Sequence, residues 1–288
     1  FGLVGQNGAG KSTIFNLLLG KTKKTAGEVC YNISGSIVRS FPFSQDNFSV
    51  CFQQDSLWGN LTVSQHLNFY CTILGCRTST LTPLLDYFDF DGFMDINAAD
   101  LSAGNKRKLC MIIALIKGPS FLFMDEATAG VDVMMRQKMK LLFEHLKDHL
   151  NTLALHTTHF LKDIEVFCDK IGVMHKGKMI CIHNIDTLKL EMGGYKVKLL
   201  AHNTPSLESL LQSLAMLGKI SSHALLEGEG GVTFTIRNIS SSFDFFAALV
   251  NAKKNSHIES FNVNQLTLED IYVDLMAGRQ EELSFITS

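Results

Sequence analysis

The sequence predicts an α/β fold built on a parallel sheet, followed by a smaller α+β domain. Two strongly apolar runs, Phe121–Met124 and Thr152–Leu155, are separated by a helical pattern over residues 133–149. Such runs are typical of strands that helices cover on both faces, as in a parallel sheet. After about Asp186 the pattern changes to alternating runs between amphipathic helices, in the order βαββαβ. We therefore expect two domains, at residues 1–188 and 194–288.

The other elements are predicted from apolar spacing and from the residues that end each run. In the first half we expect a strand at Phe1–Val4, a helix over residues 11–19 that Gly20 ends, small strands within residues 26–55, and helices within residues 60–116. In the second half we expect a strand at Tyr195–Ala201, a helix over 206–217, strand-like runs ending at Ile236 around a Gly-rich turn at 228–231, a helix over 242–254, a strand near 258–264, and a helix over 267–278. The second domain should therefore contain an antiparallel sheet.

Composition narrows the class of protein. The chain has 288 residues, of which 46% are hydrophobic and 19% are charged, so it can bury a sizeable core. A net charge of −2 gives no electrostatic reason to expect a nucleic-acid partner. The seven cysteines are scattered and show no CxxC spacing, which indicates reduced thiols and a cytosolic environment.

We identify no signal peptide before the first motif and no stretch long enough to span a membrane. The chain opens with Phe1 inside a predicted strand, so we expect it to be a piece of a longer protein. The longest apolar stretch, Leu109–Leu115, is far shorter than the roughly 20 residues that a membrane helix needs. Any membrane-spanning part should therefore lie outside this chain.

The segment that follows the first predicted strand matches the phosphate-binding pattern GxxxxGK[ST]. Its glycines allow successive backbone N–H groups to point at phosphate oxygens, and the helix that begins here adds its dipole. Lys11 can reach the β- and γ-phosphates, and the Ser12 hydroxyl can coordinate Mg²⁺. The predicted nucleotide-binding residues are Gly5, Gln6, Asn7, Gly8, Ala9, Gly10, Lys11, Ser12 and Thr13.

Two carboxylates follow the apolar strand at Phe121–Met124. Open α/β sheets bind ligands at the carboxyl ends of their strands, so both side chains should face the binding crevice. Asp125 is suited to the Mg²⁺ shell, and Glu126 is suited to polarising an attacking water. Together with the phosphate loop, this pair predicts a nucleoside triphosphatase.

With these residues in place, the sequence resembles the ATP-binding cassette (ABC) family over about residues 1–185. That family adds a Q-loop glutamine, a signature near LSGGQ, a D-loop aspartate and a switch histidine. The matching segments are Cys51-Phe52-Gln53, Leu101-Ser102-Ala103-Gly104-Asn105, Ala129-Gly130-Val131-Asp132 and Thr157-Thr158-His159. The fold that the resemblance implies is a P-loop NTPase core with an inserted helical subdomain at about 60–116.

Finer details resemble the A subfamily, which includes lipid exporters. They are Leu61-Thr62-Val63 with His66-Leu67, the run from Asn105 to Leu109, and Thr267-Leu268-Glu269-Asp270. The second domain is similar to the small regulatory domain of that subfamily, for which we expect a ferredoxin-like α+β fold.

The resemblance implies a role for each motif. Two cassettes meet head to tail and trap two ATP molecules, so Leu101–Asn105 would contact the partner's ATP. Glu126, His159 and Gln53 would be the catalytic set. His159 would bind the γ-phosphate and hold the attacking water with Glu126, and Gln53 would sense Mg²⁺ and water and relay this to the membrane domain. Ser12, Gln53 and Asp125 would hold Mg²⁺. Asp132 would couple the two sites across the dimer.

The resemblance also implies partners and a location. The partners are a second cassette, in the same polypeptide or another chain, and a transmembrane domain outside this chain, with no nucleic acid. The chain would lie at the cytosolic face of a membrane as part of an integral membrane protein.

Two departures from the family pattern bear on activity. Ala103 replaces a usual glycine, which adds a Cβ near a phosphate and resists positive φ. The family stacks adenine on an aromatic residue well before the phosphate loop, and Phe1 is too close to that loop to serve. We therefore expect weak ATP binding by this chain alone.

Two other functions remain open from the sequence. One is an ABC ATPase that works in translation or DNA repair without a membrane domain, although the slightly acidic balance argues against it. The other is a regulatory ATP-binding cassette with little turnover, which the altered signature favours and intact Lys11, Glu126 and His159 disfavour.

Overall fold

The structure is a computed structural model that describes residues 1–33, 35–39, 48–52, 56–128, 130–200, 204–226, 231–255 and 257–284. The chain divides into two compact units, Phe1–Asn184 and Ile185–Ser288. The helix Ile185–Met192 therefore falls in the second unit, and the boundary lies a few residues before the one predicted from the sequence.

In the described part of the first unit, the main sheet has six strands in the order β4-β5-β6-β1-β7-β8. The first five strands in this order pair in parallel, and β8 adds antiparallel to β7. The strands of this unit, including the separate β2–β3 hairpin, are β1 Gly2–Gly5, β2 Tyr31–Ile33, β3 Ser36–Val38, β4 Phe48–Cys51, β5 Phe121–Asp125, β6 Leu153–Thr158, β7 Lys170–His175 and β8 Lys178–Asn184. The predicted parallel sheet is confirmed.

Helices flank this sheet and fill the range predicted to be helical. They are α1 Lys11–Leu18, α2 Val63–Leu74, α3 Thr82–Tyr87, α4 Ala103–Leu115, α5 Val133–Leu150 and α6 Leu161–Phe167. Local sequence fixes several of their starts: Thr62 and Gln65 form a reciprocal capping box on α2, and Ser102 and Asp132 cap α4 and α5.

The two faces of the main sheet pack into different clusters because alternate side chains of a strand point to opposite sides. On one face, Leu122 and Met124 join the buried residues of α2, α4 and α5. On the other, Phe123 packs with Leu3 and Phe15 beside α1. The strand ends that carry the predicted site are thereby held between two apolar layers.

The β7–β8 hairpin was not predicted from the sequence. Its two-residue turn, Lys176 and Gly177, has positive φ at both positions (45° and 77°). This is the backbone requirement of a type I′ turn, whose twist suits antiparallel strands. The sequence contains a turn glycine, Gly177, but the residue before it is a lysine. Asn or Asp is more common at that position of a type I′ turn.

In the described part of the second unit, a sheet has four antiparallel strands in the order β10-β11-β9-β12. Val197, Phe234, Ile236, Phe245 and Leu249 are buried in its core. Its elements are α7 Ile185–Met192, β9 Gly194–Leu200, α8 Thr204–Ala215, β10 Lys219–Leu226, β11 Gly231–Arg237, α9 Ser242–Lys254, β12 Ser260–Gln265 and α10 Leu268–Ser284. The predicted helix over residues 242–254 is confirmed, while most of the predicted Gly-rich turn at 228–231 lies outside the described residues.

Among the described residues, no helix combines the length and the hydropathy that crossing a bilayer would require.

Candidate active site

The loop between β1 and α1 has the backbone geometry of a phosphate cradle. Gly8 and Gly10 have backbone φ angles of 78° and 104°, which residues with a Cβ rarely adopt. A Cβ on Gly5 would lie 2.5 Å from the carbonyl oxygen of Met174, so the close approach of β1 to β7 also requires glycine there. The loop therefore turns tightly into α1 with Gln6, Asn7 and Gly8 exposed to solvent.

Lys11 lies at the start of α1 with its side chain folded against this loop. Its Nζ donates to the carbonyl oxygens of Gly5 at 2.7 Å and Gln6 at 3.3 Å. Burial lowers the pKa of Lys11, and the negative charges of Glu126 and Asp125 partly offset that effect. The lysine therefore lies in the field of the two strand-end carboxylates that the sequence analysis placed in the same site.

The end of β5 is anchored to the end of β6. The Thr157 hydroxyl donates to Asp125, and the backbone N–H of Glu126 donates to the Thr157 carbonyl at 2.9 Å. Glu126 has a φ of 48°, in the left-handed region that a residue with a Cβ adopts only when its surroundings hold it there. No role for Thr157 was predicted from the sequence.

Glu126 and His159 meet at the carboxyl edge of the sheet. The Nδ1 atom of His159 lies 2.7 Å from Oε1 of Glu126. The Glu126 side chain is 15% exposed and that of His159 is 41% exposed, so the pair opens to solvent on the histidine side. With Nδ1–H donating to the carboxylate, Nε2 is the imidazole atom left to contact a ligand.

The predicted signature segment begins α4. The Ser102 hydroxyl accepts from the Asn105 N–H at 3.2 Å, Leu101 is buried, and Ser102 and Ala103 are exposed. Ala103 is the first residue of the helix and does not have positive φ, so the resistance of alanine to positive φ carries no cost at this position. An added Cβ at Gly104 would meet no atom within 4 Å. Only the proximity of the Ala103 Cβ to a phosphate remains as a predicted cost.

The two remaining motif residues differ in what the structure describes. Asp132 is exposed, and its carboxylate accepts from the Met135 N–H at 2.8 Å as the cap of α5. Gln53 lies outside the described residues. The carbonyl of the preceding Phe52 accepts from the Arg107 guanidinium at 2.6 Å, which ties the start of the predicted Q-loop to α4.

The structure thus brings together Lys11, Asp125, Glu126 and His159 at one sheet edge, beside the phosphate loop. It leaves the signature segment and Asp132 on exposed helix starts, where the side-chain bonds of Ser102 and Asp132 cap their own helices. This is an arrangement in which a triphosphate bound by the loop would meet a carboxylate and an imidazole at its far end.

Comparison with known proteins gives a consistent family. Residues 1–129 match the family described as ABC transporter. The mouse ABC-type organic anion transporter ABCA8B is 30% identical over 98% of this chain and 17% of its own length. The rat cholesterol transporter ABCA5 is 28% identical over 98% of this chain and 18% of its own length. The chain therefore spans less than a fifth of these relatives.

A solved structure supports the fold. The dimeric post-hydrolysis state of the cassette MJ0796 bound to ADP and Pi aligns with a TM-score of 0.56 at 20% identity, over 64% of this chain and 84% of that one. The mixed α/β fold of its aligned part, the glycine-shaped phosphate loop and the match over residues 1–129 lead to one assignment. Residues 1–129 carry an ABC transporter domain, and the chain is similar to known ABC transporters along 98% of its length.

Proposed function

We propose that this chain hydrolyses ATP and that hydrolysis powers a membrane transporter. The observation that carries the proposal is the 2.7 Å contact between Glu126 and His159, at the sheet edge beside the phosphate loop. A binding module without turnover needs the loop, but it does not need a carboxylate paired with an imidazole at the γ-phosphate end.

The chemistry follows from where these groups lie. The Glu126 carboxylate accepts a proton from the attacking water, and His159 keeps Nδ1 on Glu126 while Nε2 holds a γ-phosphate oxygen. Lys11 exchanges its bonds to the loop carbonyls for bonds to the β- and γ-phosphates. Most of the rate enhancement comes from positioning and charge neutralisation, since phosphoryl transfer requires little covalent help.

The oxygen donors at this edge fit Mg²⁺, which prefers carboxylates, hydroxyls and water. Asp125 ends β5 with its carboxylate fixed by Thr157, and Ser12 is exposed at the start of α1. Ser12, Asp125 and Gln53 would hold the ion, which neutralises phosphate charge when it is bound.

We propose that the active form pairs two cassettes. The exposed signature residues Ser102 and Ala103 and the exposed Asp132 support this proposal, because none of them is buried in its own unit. The dimeric relative MJ0796 supports it as well. In such a pair, Leu101–Asn105 contact the ATP held by the partner, and Asp132 links the two sites.

The proposed membrane partner is a transmembrane domain that holds the chain at the cytosolic face. Trp58, Phe69 and Ile73 are each more than two-fifths exposed, and Trp58 and Phe69 pack edge to face on the α2 side of this unit. An exposed apolar patch of this kind is typical of a docking surface. The names of the relatives favour a lipid or another hydrophobic substrate, with an organic anion as the competing class.

We propose that the chain consists of a cassette over residues 1–188 and a second domain over residues 194–288. For the second domain we propose a regulatory role and a ferredoxin-like fold. Along the chain the elements follow the order β9-α8-β10-β11-α9-β12, and in the sheet the strands follow the order β10-β11-β9-β12. Both orders support the fold. The regulatory role is supported by the location of every proposed catalytic and nucleotide-binding residue before this unit.

The experiment that tests the proposal compares ATP binding with single-turnover hydrolysis in the full-length protein. Glu126→Gln should bind ATP but hydrolyse it at least about a hundredfold more slowly, since an amide cannot accept the proton. Glu144→Gln is the matched control, because Glu144 is an exposed carboxylate paired only loosely with Lys140 at 3.9 Å. Equal hydrolysis by Glu126→Gln and Glu144→Gln would favour the regulatory cassette without turnover. Hydrolysis without any membrane-spanning segment in the full-length sequence would favour the translation or DNA-repair class.

A further inference from the structure

A largely buried polar cluster joins the segments that follow Glu126 and His159 in the chain. It consists of Thr128, Arg136, His156 and Asp163, and none of these residues was assigned a role in the reaction. Asp163 is a carboxylate with no exposed surface, and Thr128 and His156 are each 1% exposed. Charged groups are buried in this way only when hydrogen bonds and an opposite charge compensate them.

Both oxygens of Asp163 are bonded, and their donors come from different parts of the chain. The Thr128 hydroxyl donates to Oδ2 at 2.5 Å. The Arg136 guanidinium, on α5, donates to Oδ1 and forms an ion pair with it. Asp163 itself lies on α6, which begins just after His159. One carboxylate therefore joins the segment that follows Glu126, the first turn of α5 and the segment that follows His159.

Arg136 also shapes the loop that connects Glu126 to Asp132. Its Nε donates to the carbonyl of Val131 at 3.2 Å, and its Nη2 donates to the carbonyl of Thr128 at 3.4 Å. The planar guanidinium thus binds two loop carbonyls and a carboxylate at once, which a lysine ammonium cannot reproduce.

His156 closes the cluster from the β6 side. The single proton of the Thr128 hydroxyl is used on Asp163, so that oxygen accepts from Nε2 of His156 at 3.4 Å. Burial lowers the pKa of His156 to about 4, and the nearby Asp163 charge only partly opposes this effect. The imidazole is therefore neutral, and among the residues that the structure describes its Nδ1 has no hydrogen-bond partner.

We propose that Thr128, Arg136 and Asp163 are positioning residues that set the separation of Glu126 and His159 and the conformation of the loop leading to Asp132. Thr128 follows Glu126 by two residues and Asp163 follows His159 by four, so their hydrogen bond fixes the two segments relative to each other. The left-handed backbone of Glu126 needs such an external constraint to persist. This inference rests on the proposed function, in which Glu126 and His159 act on water and the γ-phosphate.

The test removes one hydroxyl without changing shape. In the full-length protein, Thr128→Val should lower the single-turnover hydrolysis rate about ten- to a hundredfold, since sub-ångström to ångström displacements of catalytic groups have effects of that size. ATP affinity should not change, because the phosphate loop is untouched. Thr128→Ser keeps the hydroxyl and should restore the rate, and Arg136→Lys should resemble Thr128→Val.

Thr152→Val is the matched control, since Thr152 is also buried and its hydroxyl donates to the Pro119 carbonyl at 2.8 Å, outside the cluster. It should keep the parent rate per ATP-bound site. The inference is overturned if Thr128→Val also keeps that rate, or if it fails to bind ATP while Thr152→Val binds normally, because the hydroxyl is then merely structural. Glu126→Gln, measured in the same series, distinguishes failure of the positioning role from failure of the proposed function. If Glu126→Gln hydrolyses ATP at the parent rate, the proposed function itself is wrong.

Discussion

Asp163→Ala is the substitution whose cost the structure specifies best. The side chain has no exposed surface, and its removal leaves Arg136 without its counter-ion and Thr128 without its acceptor. Removing one partner of a buried ion pair costs about 3–5 kcal/mol. The Arg136 side chain is 33% exposed, so water relieves part of its loss, and we expect about 3 kcal/mol. For a unit of this size, that corresponds to a fall in Tm of roughly 6–12 °C.

Calorimetry that resolves the transition of the first unit is the appropriate assay, because a chain of two units need not unfold in one step. Asp169→Ala provides the control, since Asp169 pairs with Lys147 at 2.7 Å but both side chains are more than half exposed. An exposed pair is worth about 0–1 kcal/mol, so its Tm should barely move. If Asp163→Ala costs no more than Asp169→Ala, the argument that a buried carboxylate organises this region is refuted.

Three further outcomes follow from the same contacts. Lys11→Ala should weaken ATP binding at least about tenfold by removing the charge that faces the phosphates, and equilibrium binding of a fluorescent ATP analogue checks this; unchanged affinity would contradict the assignment of the loop. His156 has a pKa of about 4 in the folded protein, below its ordinary 6.5, so the unfolded chain takes up its proton first and stability falls as the pH drops from 6.5 towards 4. Between pH 7 and pH 5 this residue should cost about 2 kcal/mol, and His156→Gln should unfold with a shallower pH dependence over that range. Deleting residues 195–288 from the full-length protein should leave ATP binding and basal hydrolysis in place and alter only their control, whereas loss of ATP binding in a folded deletion variant would disprove the proposed division of the chain.

The sequence was sufficient to predict that the candidate residues at the ends of β5 and β6 meet at one edge of the sheet. Asp125 and His159 each end or follow a strongly apolar strand, and the carboxyl ends of neighbouring parallel strands meet at one edge. The glycines at positions 8 and 10 indicated the tight loop before its φ values were known. These features are local or depend on sheet direction alone, which is why pattern and spacing predict them.

Other features depend on tertiary context and could not be predicted in the same way. The helical pattern does not indicate that Asp163 is buried, because its burial results from the packing of α6 against β6 and α5. Glutamate is not a residue from which one expects a left-handed backbone, yet Glu126 adopts it. At Ala103 the residue type alone did not indicate the backbone conformation, which the Ser102 cap sets by starting a helix there.

The central claim is that Glu126 and His159 act as one unit in ATP hydrolysis. A double-mutant cycle in the full-length protein tests it most directly, with single-turnover hydrolysis measured for Glu126→Gln, His159→Gln and the double variant. Residues that act as a unit are strongly non-additive, so the double variant should be no slower than the slower single variant. If the rate losses of the two single variants multiply in the double variant, the two residues act independently. That result, or a parent-like rate in either single variant, would contradict the role that the 2.7 Å contact implies.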